Sequence, residues 1–206
     1  MPPGSAKGLE IVVFHSALGL RPGVAAWAEK LRAAGHTVHT PDLYSGEIFD
    51  DLEAGMHKYQ ALGMSGLVAR AQAALAGLGE ELVYAGFALG GALAERLGAT
   101  RSRSRGVILM HAALPLSAVG LTAWPRAVPL QVHYAVDDPW RNREAIDSLA
   151  ASVRRSGALF QQFDYPGSGH LFADPDLPDH NPAAAEMMFR RVTDFLDRIG
   201  HSPSGP

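Results

Sequence analysis

Short apolar runs alternate with stretches of helical period along most of this chain, and that alternation restricts the architecture to a few possibilities. Leu9 to His15 is a continuous apolar run rich in β-branched residues, too short for a buried helix and suited to a buried strand. Pro22 to Ala34 follows with apolar residues at helical spacing, proline near its first turn and Gly35 as a stop. His36 to Thr40 reads as a short strand closed by Pro41, and Asp42 to Gly63 as a loop-rich stretch with a short helix around Asp51 to Tyr59. Gly66 to Leu78 reads as a helix, Glu81 to Ala85 as a strand, and Leu89 to Leu97 as a helix ended by Gly98. Strands at Gly106 to Met110, Leu130 to Ala135 and Leu159 to Tyr165 follow, with helices at Arg143 to Ser156 and Ala183 to Ile199. Such βαβ units build a mostly parallel sheet with helices on both faces.

The 206 residues suffice for one well-buried core, so a single domain over 1–206 is expected, ordered from about residue 8 to about residue 200. The termini, rich in Pro, Gly and Ser, are expected to fray. A formal charge of −3 gives no basis for a nucleic-acid or anionic-membrane surface. Arg101, Arg103 and Arg105, spaced by serines, read as a solvated turn. The absence of cysteine excludes disulfides, thiolate metal sites and a cysteine nucleophile. No signal-peptide pattern or membrane-length apolar window is present, so a cytoplasmic protein is the expectation. Oligomeric state is left open.

In parallel sheets the active groups gather at the carboxyl ends of the strands. Three segments occupy such positions. In the first, Val83-Tyr84-Ala85 leads into Gly86-Phe87-Ala88-Leu89-Gly90-Gly91 and a helix. This has the shape of a nucleophile elbow, in which the central residue is usually Ser or Cys and the residues two before and two after it are small. It is equally readable as a plain glycine-rich strand-to-helix turn, although Walker and dinucleotide fingerprints are absent. The second segment ends a strand in Asp137-Asp138-Pro139-Trp140, where Asp138, or else Asp137, suits a triad acid; a helix cap is the ordinary alternative. The third is Gly167-Ser168-Gly169-His170, a loop histidine after the last strand. Elbow, acid and histidine in that order are what a Ser-Asp-His arrangement requires.

Four segments together resemble the dienelactone hydrolase family: Val13-Phe14-His15-Ser16-Ala17-Leu18-Gly19-Leu20, Ala34 to Tyr44 with its Pro41-Asp42-Leu43-Tyr44, the elbow, and Gly167 to Phe172 with its Gly169-His170-Leu171-Phe172. The resemblance spans nearly the whole chain. It implies a single-domain α/β-hydrolase fold, a triad of nucleophile, Asp138 and His170, and an oxyanion hole from the amides of Ala17 and Leu89. It also implies hydrolysis of a small ester or lactone without metal or organic cofactor. Two positions depart from the family. The glutamate of its best-known members is Ser16 here, as suits serine-type members, and the nucleophile position is Ala88. A methyl group cannot attack a carbonyl.

Three readings of Ala88 stand: an engineered replacement of serine in an esterase or lactonase; a natural non-covalent cyclase, dehydratase or isomerase using His170, Asp138 and the two amides; or a small-molecule binding module that has lost catalysis. His15, Ser16, Tyr44, His111, Trp140 and Phe172 are expected near the pocket, with Trp124 as a further wall. Each also reads as ordinary core or loop; for His15 and Ser16, a hydrogen-bonded core histidine and a loop cap are the favoured reading. Met187, Met188 and Phe189 read as sheet-facing core. His36 and His39, three apart on a strand, point to opposite sides and make no metal pair. Asp174, Asp176, Asp179 and His180 read as a hydrophilic loop.

Overall fold

The computed structural model describes residues 8–201; the expectations about the terminal segments lie largely outside this range. Six strands form one all-parallel sheet in the order β2-β1-β3-β4-β5-β6: β1 (Glu10–Phe14), β2 (Thr37–His39), β3 (Leu82–Phe87), β4 (Gly106–Met110), β5 (Leu130–Ala135) and β6 (Phe160–Tyr165). The helices are α1 (Pro22–Ala33), α2 (Leu52–Ala74), α3 (Leu89–Thr100), α4 (Arg143–Arg155) and α5 (Pro182–Gly200), with a 3-10 turn at Leu116–Val119. The chain is a single α/β domain.

Side chains alternate across a strand, and the two faces of the sheet accordingly bury different sets. Val12, Phe14, Leu82, Tyr84, Val107, Leu109, Leu130 and Val132 meet Leu67 and Ala71 of α2, Leu93 and Leu97 of α3, and Ile146 and Leu149 of α4. Ile11, Val13, Val83, Ala85, Ile108 and Met110 meet Trp27 and Leu31 of α1 and Met188, Val192 and Phe195 of α5. β1, β3 and β4, at the centre of the sheet, read as nearly unbroken apolar runs because both of their faces are covered, whereas β6 at the edge, Phe160–Tyr165, is more polar and mostly half-buried.

Helix starts follow capping chemistry. Asp51, Asn142 and Asn181 each accept, through a side-chain oxygen, the amide three residues on. Three expectations need correction. The two helices expected around Asp51 to Tyr59 and over Gly66 to Leu78 meet at Gly63, whose non-helical φ of 66° and ψ of 167° only glycine takes without strain; together they make the kinked element α2, and the second of them ends at Ala74 rather than Leu78. Gly98 does not end α3, which runs to Thr100; a Cβ there would lie 2.3 Å from Val107 Cγ2, so the glycine serves close approach to the sheet. Met187 is 37% exposed, while Met188, one position on, is fully buried, since neighbouring residues on a helix face different ways. No helix among the described residues is long and apolar enough to cross a membrane.

Candidate active site

β3 passes directly into α3 through Ala88, which has a φ of 47° and a ψ of −111°, outside the ordinary regions for a residue with a side chain. The turn is this tight because its flanking positions lack side chains. A Cβ on Gly86 would lie 2.1 Å from the Gly90 carbonyl oxygen, and one on Gly90 would lie 2.4 Å from the carbonyl oxygens of both Phe14 and His15. The Ala88 amide donates to the Met110 carbonyl at 2.8 Å, and the Ala88 carbonyl accepts from Gly91 at 2.8 Å. With its backbone held this way, the Ala88 methyl remains half-buried rather than enclosed.

Asp138 follows β5 and its side chain is fully buried. One carboxylate oxygen accepts the Trp140 amide at 2.8 Å; the other lies 2.8 Å from His170 Nδ1. Asp137, the alternative acid, is exposed, and its amide donates to Gly167. His170 retains some solvent access, and its own amide donates to the Asp179 carboxylate at 3.0 Å. The sharp bend at Gly167, φ 110°, and the contact at Gly169, where a Cβ would lie 2.6 Å from the Asp179 carbonyl, explain the glycines that flank this loop.

No protein acceptor takes the amide of Ala17 or of Leu89 among the described residues. Leu89 is the first residue of α3, where an amide has no partner in its own helix and the helix dipole is positive. Gly90 brings the start of α3 against the end of β1, next to the segment that carries Ala17.

The other expected pocket residues divide. Trp140 is 58% exposed, with its ring 6.0 Å from that of His170, and forms an open apolar wall. His111 is buried with both ring nitrogens unpartnered among the described residues, in contact with Phe87 and Phe172 and with its ring 5.9 Å from that of His170. Burial holds its pKa well below the usual imidazole range. Tyr44 and Phe172 do not line the mouth. Tyr44 packs beneath the surface against His15 and Phe49, and Phe172 against His111 and Tyr165. Trp124 is likewise core, its indole donating to the Val128 carbonyl. His15 is no free base: Nδ1 lies 2.7 Å from the Ser16 carbonyl, and Nε2 accepts the Leu43 amide. Burial lowers its pKa, in keeping with a neutral ring. The Ser16 hydroxyl accepts the Leu18 amide, capping its loop, and borders a void of about 10 Å³ with Phe87 and Leu171.

Sequence reasoning missed Arg21. Its buried guanidinium bonds Asp50 at 2.9 Å and the Phe49 carbonyl at 2.8 Å and lies 3.4 Å from Asp174, tying three loops together. Being one arginine before a helix-start proline, it carries no periodic signal. Glu95 on α3 was also missed; it is fully buried, accepts the Leu114 amide at 3.0 Å, and is pushed up to about 8 by burial. A lone acid within the apolar segment from Leu89 to Thr100 was the available clue. No group of residues suited to hold a metal occurs among the described residues. His36 accepts the Leu9 amide and His39 bonds Glu10, so the two serve separate contacts.

The dienelactone hydrolase family model matches residues 1–200. The chain belongs to the dienelactone hydrolase family. Solved structures share its fold. A dienelactone hydrolase-like promiscuous phosphotriesterase from metagenomic libraries is 21% identical with a TM-score of 0.74, over 95% of this chain and 88% of that one. A thermophilic esterase from the Planctomycetes species Thermogutta terrifontis, bound to propionate, is 18% identical with a TM-score of 0.69, over 97% and 86%. An α/β-hydrolase enzyme from a Medee basin deep-sea metagenome library is 13% identical with a TM-score of 0.68, over 96% and 86%. No curated protein matches the sequence. Membership in the family supports a hydrolase-type enzyme, and these neighbours share its fold.

Proposed function

We propose that this chain carries the site of a serine-type ester or lactone hydrolase in which Ala88 stands where the nucleophile belongs, an engineered inactivation of an otherwise intact site. The observation that carries this reading is the His170–Asp138 pair, 2.8 Å apart on a fully buried carboxylate, in a chain that still bends sharply at Ala88. Asp138 would fix the imidazole with Nδ1 protonated and stabilise its cationic form, leaving Nε2 to take a proton. The Ala17 and Leu89 amides would stabilise an oxyanion. A serine at position 88 would complete the acyl-enzyme route: its hydroxyl attacks the carbonyl as His170 takes the hydroxyl proton, the alcohol leaves with that proton, and water, deprotonated by His170, then releases the acid and restores the serine. No metal or organic cofactor enters this chemistry.

A second reading rests on the same pair. With no nucleophile, His170 acts as general base on water or on a substrate C–H or O–H, as a cyclase, dehydratase or isomerase requires. The third, a pocket that binds a small molecule without turnover, keeps the pair without using it. The deciding experiment compares this protein with its Ala88→Ser variant on short aryl esters and lactones. Turnover that appears only in the variant is the expected result. Turnover by both at similar rates would favour the non-covalent enzyme, and silence from both would leave hydrolysis unsupported. The occupant is a small molecule, and the cytoplasm is the proposed compartment.

A further inference from the structure

We propose that a second site, at the opposite edge of the sheet from Asp138 and His170, binds an organic phosphate carrying at least two negative charges. A cavity of about 790 Å³ lies there, a size that suits a small ligand. Its walls include Glu81, Arg105, Pro129 and Leu159, which immediately precede β3, β4, β5 and β6. Because the strands are parallel and span five or six residues, this edge lies about 17–20 Å from the ends that carry Ala88, His111 and Asp138. The site is therefore separate from the catalytic one.

Its charge is the first argument. Among the described residues, five arginines and one glutamate line the cavity, in a chain whose formal charge is −3. The glutamate, Glu81, is engaged by Arg103. Arg101, at the carboxyl-terminal cap of α3, and Arg126, in the loop before β5, have no carboxylate partner among the described residues. Arg101 and Arg126 place like charges in one cavity, a repulsion that an anion relieves, and the planar fork of a guanidinium matches phosphate oxygens two at a time. In the same wall, the buried Ser104 hydroxyl has no hydrogen-bond partner among the described residues.

The apolar lining is the second argument. Leu159, 38% exposed, Val128 and Ile199 lie on the same walls as the arginines. Bare inorganic phosphate has no use for such a surface, whereas an organic phosphate covers it with its carbon skeleton while the arginines take its charge.

The test is titration calorimetry on the whole protein at low ionic strength, with inorganic pyrophosphate, ADP and citrate as probes. ADP is expected to bind most tightly, pyrophosphate more weakly, and citrate weakest. Arg101→Ala and Arg126→Ala are each expected to weaken ADP about tenfold. Arg143→Ala, an exposed arginine at the start of α4 near the other edge, is expected to leave it unchanged. Far-UV circular dichroism checks that each variant folds; neither Arg101 nor Arg126 is in the core. Failure of ADP to bind, ADP binding no tighter than pyrophosphate or citrate, binding that survives the Arg101→Ala/Arg126→Ala double variant, or equal loss in Arg143→Ala would overturn the proposal. None of these outcomes depends on the chemistry at Ala88.

Discussion

Asp138 has both carboxylate oxygens engaged, one by the Trp140 amide and one by His170, and its side chain meets no solvent. A residue so enclosed cannot be replaced without consequence for its partner. In an Ala88→Ser background, Asp138→Asn is expected to lower kcat on an aryl ester about 10⁴-fold, because the amide favours the wrong imidazole tautomer. His170→Ala is expected to cost at least as much. Steady-state kinetics, with thermal melts to separate activity loss from unfolding, measure both. A loss of less than about tenfold in either variant would place the base elsewhere. At this scale the sequence showed the residues by strand order and glycine flanks. It did not show that Asp137 lies outside and Asp138 inside; one step along a chain leaving a strand reverses the direction of the side chain. Nor did it show that Tyr44 and Phe172 lie beneath the surface, since an aromatic next to a motif looks the same in sequence whether it is wall or floor.

Element boundaries were legible where caps or apolar runs end sharply, as at β4 and β5, and less so where glycine has two possible uses. Gly63 and Gly98 illustrate this. The first kinks α2 by a backbone conformation closed to other residues; the second lets α3 lie against Val107 and Tyr84 without ending the helix. The distinction yields a test. A Cβ on Gly63 would meet nothing within 4 Å, so Gly63→Ala isolates backbone strain and is expected to destabilise by about 1–3 kcal/mol. Gly98→Ala, which forces a Cβ against Val107, is expected to cost about as much through overpacking. Urea midpoints measure both. A neutral Gly63→Ala would mean that α2 straightens freely and that its kink has no stabilising role.

The whole molecule balances buried bases against a buried acid. Burial lowers His111 well below its ordinary 6.5 and His133 to about 3. Below pH 6.5 the unfolded chain therefore takes up protons that the folded one refuses. Stability falls as the pH falls, by about 1.4 kcal/mol per unit for each fully titrating imidazole. Glu95 acts in the opposite sense: its folded value, about 8 against 4.5, makes its contribution complete below 4.5 and lost as the pH rises through 8. Between 4.5 and 6.5 the imidazoles of His111 and His133, joined by those of His15 and His36, which burial also lowers, oppose one carboxyl and stability climbs; between 6.5 and 8 the carboxyl of Glu95 acts against stability and it declines. Urea denaturation at pH 5, 6.5 and 8 is expected to show a maximum near 6.5. Glu95→Gln, which keeps an oxygen for the Leu114 amide, is expected to remove the decline above 6.5. An unchanged decline in that variant would mean that Glu95 is already ionised in the folded protein.

Local sequence is enough to read the alternation of strand and helix, the two-sided burial of the central strands, the glycine turn at Ala88 and the chain order of elbow, acid and histidine. These are properties of local period and local sterics, written in consecutive residues. Only the tertiary structure decided which atoms meet. Asp138 and His170 lie 32 positions apart, and Arg21 reaches across 29 positions to Asp50. Glu95 accepts the amide of Leu114 from the loop after β4, and arginines from the loops before β4 and β5 share one cavity with Arg198 of α5 because these strands run the same way. Contacts of this kind depend on how the chain closes on itself, and side-chain spacing within one segment carries no record of that closure.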